Sequence, residues 1–211
     1  PTAKNEVDDA EVRRADFGLP ENGAVFANFN SHYKFYPTLF DTWMRILRKT
    51  PGSVLWLLAG SETSNANLRK EAKARGVDPE RIVFSDRQAH RQHLARMKLA
   101  DMCFDCLHHG GGVTTTDALF VGVPVLTLEG PTPPSRNGAT LAHAIGAPEM
   151  ITRSFDEYEQ LALRLINNPD ELKALRNKLL RNAETWPIFD VERLTRHLER
   201  AYDMMWDNYA A

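Results

Sequence analysis

Residues 100–128 read ADMCFDCLHHGGGVTTTDALFVGVPVLTL, and this stretch decides the fold. DMCFDC is a short apolar run of strand length. The glycine-rich HHGGG follows it, then TTTDALFVG with the spacing of a helix, then PVLTL, a second apolar run. A strand, a tight loop, a helix and a second strand in so little chain make a βαβ unit, whose two strands run parallel. The same alternation continues upstream. AVFANF (Ala24 to Phe29), SVLWLLAG (ended by Gly60) and RIVFS (ended by Ser85) are apolar on both sides, as strands covered on both faces are. Between them, Pro37 opens the amphipathic TLFDTWMRILRK, which Pro51 and Gly52 stop. NANLRKEAKARG has Gly76 in the C-cap position, and HRQHLARMKLA makes a third helix. Downstream come the helix RNGATLAHAIG and a short strand-like EMIT. Right-handed crossovers place helices on both faces of such a sheet. The expected fold is therefore α/β, a doubly wound, Rossmann-like parallel sheet.

From Ser154 onward the strands stop. SFDEYEQLALRLIN, DELKALRNKLLRNAE and VERLTRHLERAYDMMW read as three helices that form a C-terminal helical extension. The expected organisation is a loosely ordered lead-in over 1–20, a Rossmann-like lobe over 21–153 and C-terminal helices over 154–211. There is no internal repeat and no low-complexity segment.

Composition narrows the function. Of 211 residues, 43% are hydrophobic and 26% charged, with a formal net charge of -2. That suffices for one substantial core and lacks the basic excess of a general nucleic-acid binder, so no nucleic-acid partner is expected. No run approaches the ~20 apolar residues of a membrane helix. The chain opens on the polar PTAKNEVDDAEVRR, from which no signal peptide is expected, and it lacks an initiating Met, as a piece of something longer would. Only two cysteines occur, Cys103 and Cys106 in MCFDC. A zinc site needs four ligands, and His108 and His109 follow, but the simpler reading puts Cys103 in a buried strand and Cys106 just past it. No metal is expected, and a reducing cytoplasm is the expected compartment.

In an open α/β sheet, ligands bind outside the carboxyl ends of the strands. The residues there are Asn30, Ser31, His32 and Lys34 after the first strand; Ser85, Asp86, Arg87 and Gln88, leading to His90 and His93, after the third; His108, His109 and the glycines after the fourth; and Glu129, Gly130, Thr132, Ser135 and Arg136 after the fifth. The set is rich in Lys, Arg and His and poor in carboxylates, which suits an anion. Its strongest member is Gly110-Gly111-Gly112-Val113-Thr114-Thr115-Thr116-Asp117, joining a strand to a helix. Glycines let backbone N–H groups approach a ligand, the helix N-terminus adds about half a positive charge, and threonines add donors. The pattern is neither the P-loop, lacking GK[ST], nor GxGxxG, which speaks against a dehydrogenase.

VFANFNSHYKFYP, PGSVLWLLAG, ARGVDPERIVFSDR, HLARMKLADMCFDC, TTTDALFVGVPVLTL, GAPEMITRSFDEYEQLALRL and WPIFDVERLTRHLERAYDMMW follow one another in the order found in the O-GlcNAc-transferase-like family, glycosyltransferase family 41. The chain resembles the C-terminal catalytic lobe of that family from about Arg14 to Trp206. Bacterial members commonly carry tetratricopeptide repeats, and plant protein O-fucosyltransferases belong to the family. The resemblance implies one lobe of a GT-B enzyme, the lobe that holds most of the donor. It implies an inverting transfer of GlcNAc from UDP-GlcNAc to Ser or Thr of an acceptor protein, with no metal and no separate cofactor. The partners it implies are a nucleotide sugar, an N-terminal catalytic lobe, tetratricopeptide repeats and the acceptor. Without the other lobe, the chain is expected to bind but not to turn over. The alternatives are a non-catalytic nucleotide-binding or interaction module, and an O-fucosyltransferase using GDP-fucose.

Lys34, in FNSHYK, matches the family lysine on the donor diphosphate, where a fixed ammonium offsets charge on the departing nucleotide and takes the place of a metal. Ser31 and Gln88 fall on the same donor edge. His93 and Arg96, in HLAR, match positions near the base and sugar, and Asp117 an aspartate below the phosphate-binding helix. Gly111, Gly112, Val113, Thr114 and Thr115 form the phosphate loop. Arg136 matches an arginine at a helix start, free to pair with Glu129 or Asp117. Three positions depart from the family: Ser31 stands where it has Gln or Asn, His90 where it has a lysine, and the histidine of its GHTT is absent. Counted back from DAL, that histidine falls on Gly112, and with a loop one residue shorter it falls on Val113. Trp43, Trp56 and Trp186 read as core residues. Leu194, Leu198, Tyr202 and Met205 make an apolar stripe on the last helix.

Overall fold

A computed structural model describes residues 6–210. Its sheet has six parallel strands in the order β3-β2-β1-β4-β5-β6: β1 (Val25–Asn28), β2 (Val54–Leu58), β3 (Ile82–Ser85), β4 (Met102–Phe104), β5 (Val125–Leu128) and β6 (Ile151–Thr152). The helices are α1 (Pro37–Lys49), α2 (Glu62–Ala74), α3 (His90–Met97), α4 (Val113–Phe120), α5 (Asn137–Ala144), α6 (Phe155–Asn167), α7 (Pro169–Thr185) and α8 (Val191–Ala210). The doubly wound α/β expectation holds. α2 starts before NANLRKEAKARG, because Ser61 caps it by accepting from the Ser64 amide, and Gly76 takes the left-handed conformation after its end.

The strand order reverses direction between β1 and β4, which pair directly, Ala27 beside Cys103. Connections after β1 and after β4 leave toward opposite edges, so a crevice opens outside the carboxyl ends of these two strands. That crevice lies between the FNSHYK turn and the glycine loop.

The core explains the strand sequences. Every residue of β1, β2, β4 and β5 is buried, as the continuous apolar runs require. Phe26 and Phe104 stack at 4.7 Å between ring centroids, and Phe104 also meets Trp43 of α1 at 5.9 Å and Tyr158 of α6 at 5.6 Å. Both cysteines are buried thiols, pushed up to about 12 chiefly by burial, and Cys106 accepts from Asn28 Nδ2.

The C-terminal region divides otherwise than at residue 154. Helix α6 packs on α1 and β5, and α7 packs on α4 and α6. Tyr158, Leu161, Leu175 and Leu179 belong to the same core as the sheet. Arg45 and Lys49 of α1 both reach Glu159 of α6, at 2.6 and 2.7 Å. Only α8 stands away, with no buried residue, and its stripe of Leu194, Leu198, Tyr202 and Met205 is exposed.

At the other end, residues 1–5 of the lead-in lie outside the described part. The rest is held more firmly than a loose segment. Arg14 donates to the carbonyls of Pro20, Gly23 and Leu99 and pairs with Asp101 at 2.9 Å, and Leu19 joins the core. Trp43 and Trp56 are buried as expected, whereas Trp186 is 40% exposed. Trp186 lies over Gly146, where a Cβ would collide with the indole, so its ring covers a glycine instead of entering the core.

Candidate functional site

The turn after β1 is pinned from below by His32. Its Nε2–H donates to the Leu58 carbonyl at 2.7 Å, which leaves Nδ1 to accept from the Ser64 hydroxyl at 2.7 Å. Gly60 makes room for the ring, since a Cβ there would stand 2.7 Å from His32 Nδ1. Two residues on, Lys34 Nζ donates to Asn30 Oδ1 at 3.1 Å. The same oxygen accepts from Thr114 Oγ1 of α4 at 3.1 Å. Asn30 is itself fixed by Asn28 Oδ1, which accepts from the Asn30 backbone N–H at 2.8 Å and from its Nδ2 at 3.2 Å. Asn30, held in place by Asn28, thus joins Lys34 to the N-terminus of α4 through a single oxygen.

That N-terminus is open. Gly112 precedes the helix with no side-chain cap, and among the described residues the N–H groups of Gly112, Val113 and Thr114 have no acceptor within the protein. Unpaired amides at a helix start, beside a lysine, are an arrangement that can take an anion. A Cβ at Gly111 would stand 2.5 Å from both Thr114 Oγ1 and Thr115 Oγ1, so a side chain there would displace the two hydroxyls. Thr115 is buried below the loop, Gly112 faces open space, and the Val113 side chain is 65% exposed.

Beside it, a groove of about 230 Å³ is lined by Phe29, Leu58, Arg87, Gln88, His90, His93, Arg96, Thr114 and Asp117. Arg87, Gln88, His90, His93, Arg96 and Asp117, all singled out from the sequence, therefore share one groove with Thr114. Arg96 is 1% exposed; it donates to the Asp86 carbonyl at 2.7 Å and lies over the Phe29 ring at 4.9 Å. Burial lowers its guanidinium to about 10, with Asp86 opposing. Arg96 Nε donates to His93 Nδ1 at 3.2 Å, so the neutral ring of His93 carries its proton on Nε2 and keeps one donor. Burial first, then the charges of Arg96 and His90, push the His93 imidazole down to about 4. His93 is thus no partnerless surface histidine. His90 Nε2 meets Asp117 Oδ1 at 3.0 Å, and burial raises the Asp117 carboxyl while His90 opposes the rise.

Some sequence expectations fall outside this arrangement. Ser31 begins the turn before Lys34 but makes no side-chain cap bond and does not line the groove. Arg136 pairs with neither residue suggested for it: Glu129 pairs with Arg153 at 3.6 Å, and Asp117 with His90. Sequence reasoning also missed Asp105, just past β4. It is buried and accepts from the Gly111 and Cys106 amides and the Thr127 hydroxyl. The available signal was a carboxylate placed directly between an apolar strand and a glycine loop. Among the described residues no group of His, Cys, Asp and Glu is arranged to hold a metal ion, and no helix is long and apolar enough to cross a membrane.

Comparison with known proteins adds a family. The family model described as Glycosyl transferase family 41 matches residues 4–198. A probable UDP-N-acetylglucosamine–peptide N-acetylglucosaminyltransferase of Arabidopsis thaliana is 38% identical over 199 residues, covering 94% of this chain and 20% of the relative. The UDP-N-acetylglucosamine–peptide N-acetylglucosaminyltransferase of Caenorhabditis elegans is 36% identical over 196 residues, 93% of this chain and 17% of its own length. The chain thus spans about a fifth of the curated relatives it matches. Among solved structures, a mutant of the Thermobaculum terrenum O-GlcNAc transferase superposes with a TM-score of 0.84 at 31% identity, over 90% of this chain and 37% of that one. Sucrose-phosphate synthase of Thermosynechococcus elongatus superposes at 0.65 with 15% identity, over 92% of this chain and 48% of that one, a likeness of fold alone.

Proposed function

We propose, from the premise that this chain belongs to glycosyl transferase family 41, that it is the donor-binding lobe of an inverting glycosyltransferase that takes UDP-GlcNAc and glycosylates Ser or Thr of proteins. The observation that carries the reading is the open N-terminus of α4, with Lys34 tied to it through Asn30. The diphosphate lies on the Gly112, Val113 and Thr114 amides with Lys34 beside it. The nucleoside enters the adjoining groove, where neutral His93 keeps a donor and Phe29 and Arg96 form a flat wall. In the reaction, the acceptor hydroxyl oxygen attacks the anomeric carbon and the bond from that carbon to the diphosphate oxygen breaks. The electron pair leaves with the nucleotide, and the hydroxyl proton passes to a base outside this chain. Lys34 and the loop amides stabilise the charge that develops on the departing diphosphate. The names of the Arabidopsis and Caenorhabditis relatives support UDP-GlcNAc as the donor and a protein as the acceptor.

The test is calorimetric titration of the chain with UDP, UDP-GlcNAc, GDP and NAD. UDP and UDP-GlcNAc are expected to bind, at least about tenfold more tightly than GDP or NAD. A preference for GDP would move the donor to a fucosyl nucleotide. Binding of none, by a folded sample, would favour the non-catalytic module.

A further inference from the structure

Asp105 stands at the carboxyl end of β4, 3% exposed, and three parts of the chain converge on it. Its Oδ1 accepts from the backbone N–H of Cys106 at 2.8 Å and of Gly111 at 2.7 Å, which closes the loop between them. Its Oδ2 accepts from Thr127 Oγ1 of β5 at 2.9 Å. Gly138 of α5 comes so close that a Cβ there would collide with both Oδ2 and Thr127 Oγ1, and a Cβ at Gly110 would stand 3.0 Å from Oδ2. Neighbouring Gly110 is held separately, its N–H donating to the Pro134 carbonyl at 3.0 Å. The consequence is a change of register within the loop. The Gly110 and Gly111 amides are spent inside the protein, and the next three, Gly112, Val113 and Thr114, are left without acceptors.

A carboxylate beneath an anion site opposes the anion, so electrostatics cannot be what this residue contributes to binding. Burial raises its carboxyl, while the Gly111 and Cys106 amides, Thr127 and the Lys34 charge draw it back. We propose that Asp105 is a positioning residue that acts through shape: by claiming the Gly111 amide it fixes which backbone N–H groups face a diphosphate. The proposal rests on the reading of the α4 N-terminus as the donor diphosphate site.

The test compares the wild-type chain with Asp105→Asn, Asp105→Ala and Thr127→Val in titrations with UDP, inorganic pyrophosphate and uridine, each variant's fold being checked by circular dichroism and thermal unfolding. Asparagine keeps an oxygen for the two amides and discards the charge. D105N should therefore bind UDP and pyrophosphate within about threefold of wild type, or more tightly. D105A leaves both amides unpaired, and it should lose at least about tenfold for both phosphate ligands while uridine binding holds. T127V frees only Oδ2 and should cost about threefold, again confined to the phosphate ligands. Equal losses in D105N and D105A would overturn the proposal, as would a loss in D105A that extends equally to uridine. Should D105A fail to fold, unchanged phosphate affinity in T127V overturns it. A folded wild-type chain that binds neither UDP nor pyrophosphate removes the diphosphate reading and this proposal together, whereas normal wild-type binding with uniform variants removes this proposal alone.

Discussion

His93 is held neutral by its surroundings, and this has a measurable consequence. Its folded value is about 4 against an ordinary 6.5. Between those values the unfolded chain binds the proton and the folded chain does not, so His93 draws stability down as pH falls from 6.5 toward 4, and the loss levels off below. Asp105 and Asp117, both raised by burial, act in the opposite sense: their buried charges cost stability at neutral pH, and protonation relieves that cost on acidification. The whole curve mixes these terms, so the informative quantity is a difference. His93→Gln, which can still accept from Arg96, should show a smaller fall in unfolding temperature across this window than the wild type. Identical falls would mean that His93 is solvated. At this scale the candidate site was legible in its placement: Lys34, His90, His93 and Asp117 gather at the carboxyl edge of the sheet, where the sheet rule puts a ligand. Asp105 was not, because the partners of a buried polar group lie elsewhere in the sequence, Gly111 six residues on and Thr127 on the next strand.

At the scale of elements, the turn carrying Lys34 is placed by contacts from β2 and α2 and not by its own sequence. His32 inserts between the Leu58 carbonyl and the Ser64 hydroxyl, and the absence of a side chain at Gly60 permits it. Gly60→Ala should expel the ring, cost about 1–3 kcal/mol of stability as an overpacking substitution, and weaken UDP binding about threefold or more by moving Lys34. Urea unfolding and titration measure the two effects, and unchanged UDP affinity in a destabilised variant would separate the turn from the site. The strands were readable because a doubly covered parallel strand is apolar throughout. The C-terminal helices were readable as helices but not in their placement. Hydrophobic periodicity says that one face of α6 or α7 is buried, not which surface covers it. Here the covering surfaces are α1 with β5 for α6, and α4 for α7.

Over the whole molecule, the order of strands does more than any single motif. Because β1 and β4 are neighbours from which the chain departs in opposite directions, the FNSHYK turn and the glycine loop, distant in sequence, face one another across one crevice. The Asn30–Thr114 hydrogen bond spans that crevice and links the two segments, with Lys34 on the same Asn30 oxygen. Under the proposed function, such preorganisation spares the cost of ordering Lys34 at the moment of binding. The exposed apolar stripe of α8 lies apart from this machinery.

The claim that unites these scales is that Lys34 and the α4 N-terminus together hold a nucleotide diphosphate. It is tested most directly by calorimetric titration of UDP into the wild-type chain and into Lys34→Ala, with matched unfolding curves. A charge-assisted contact contributes about 1.5–3 kcal/mol, so the variant should bind roughly ten- to a hundredfold more weakly while remaining fully folded at the temperature of the titration. Equal UDP affinity in the two proteins would contradict the account.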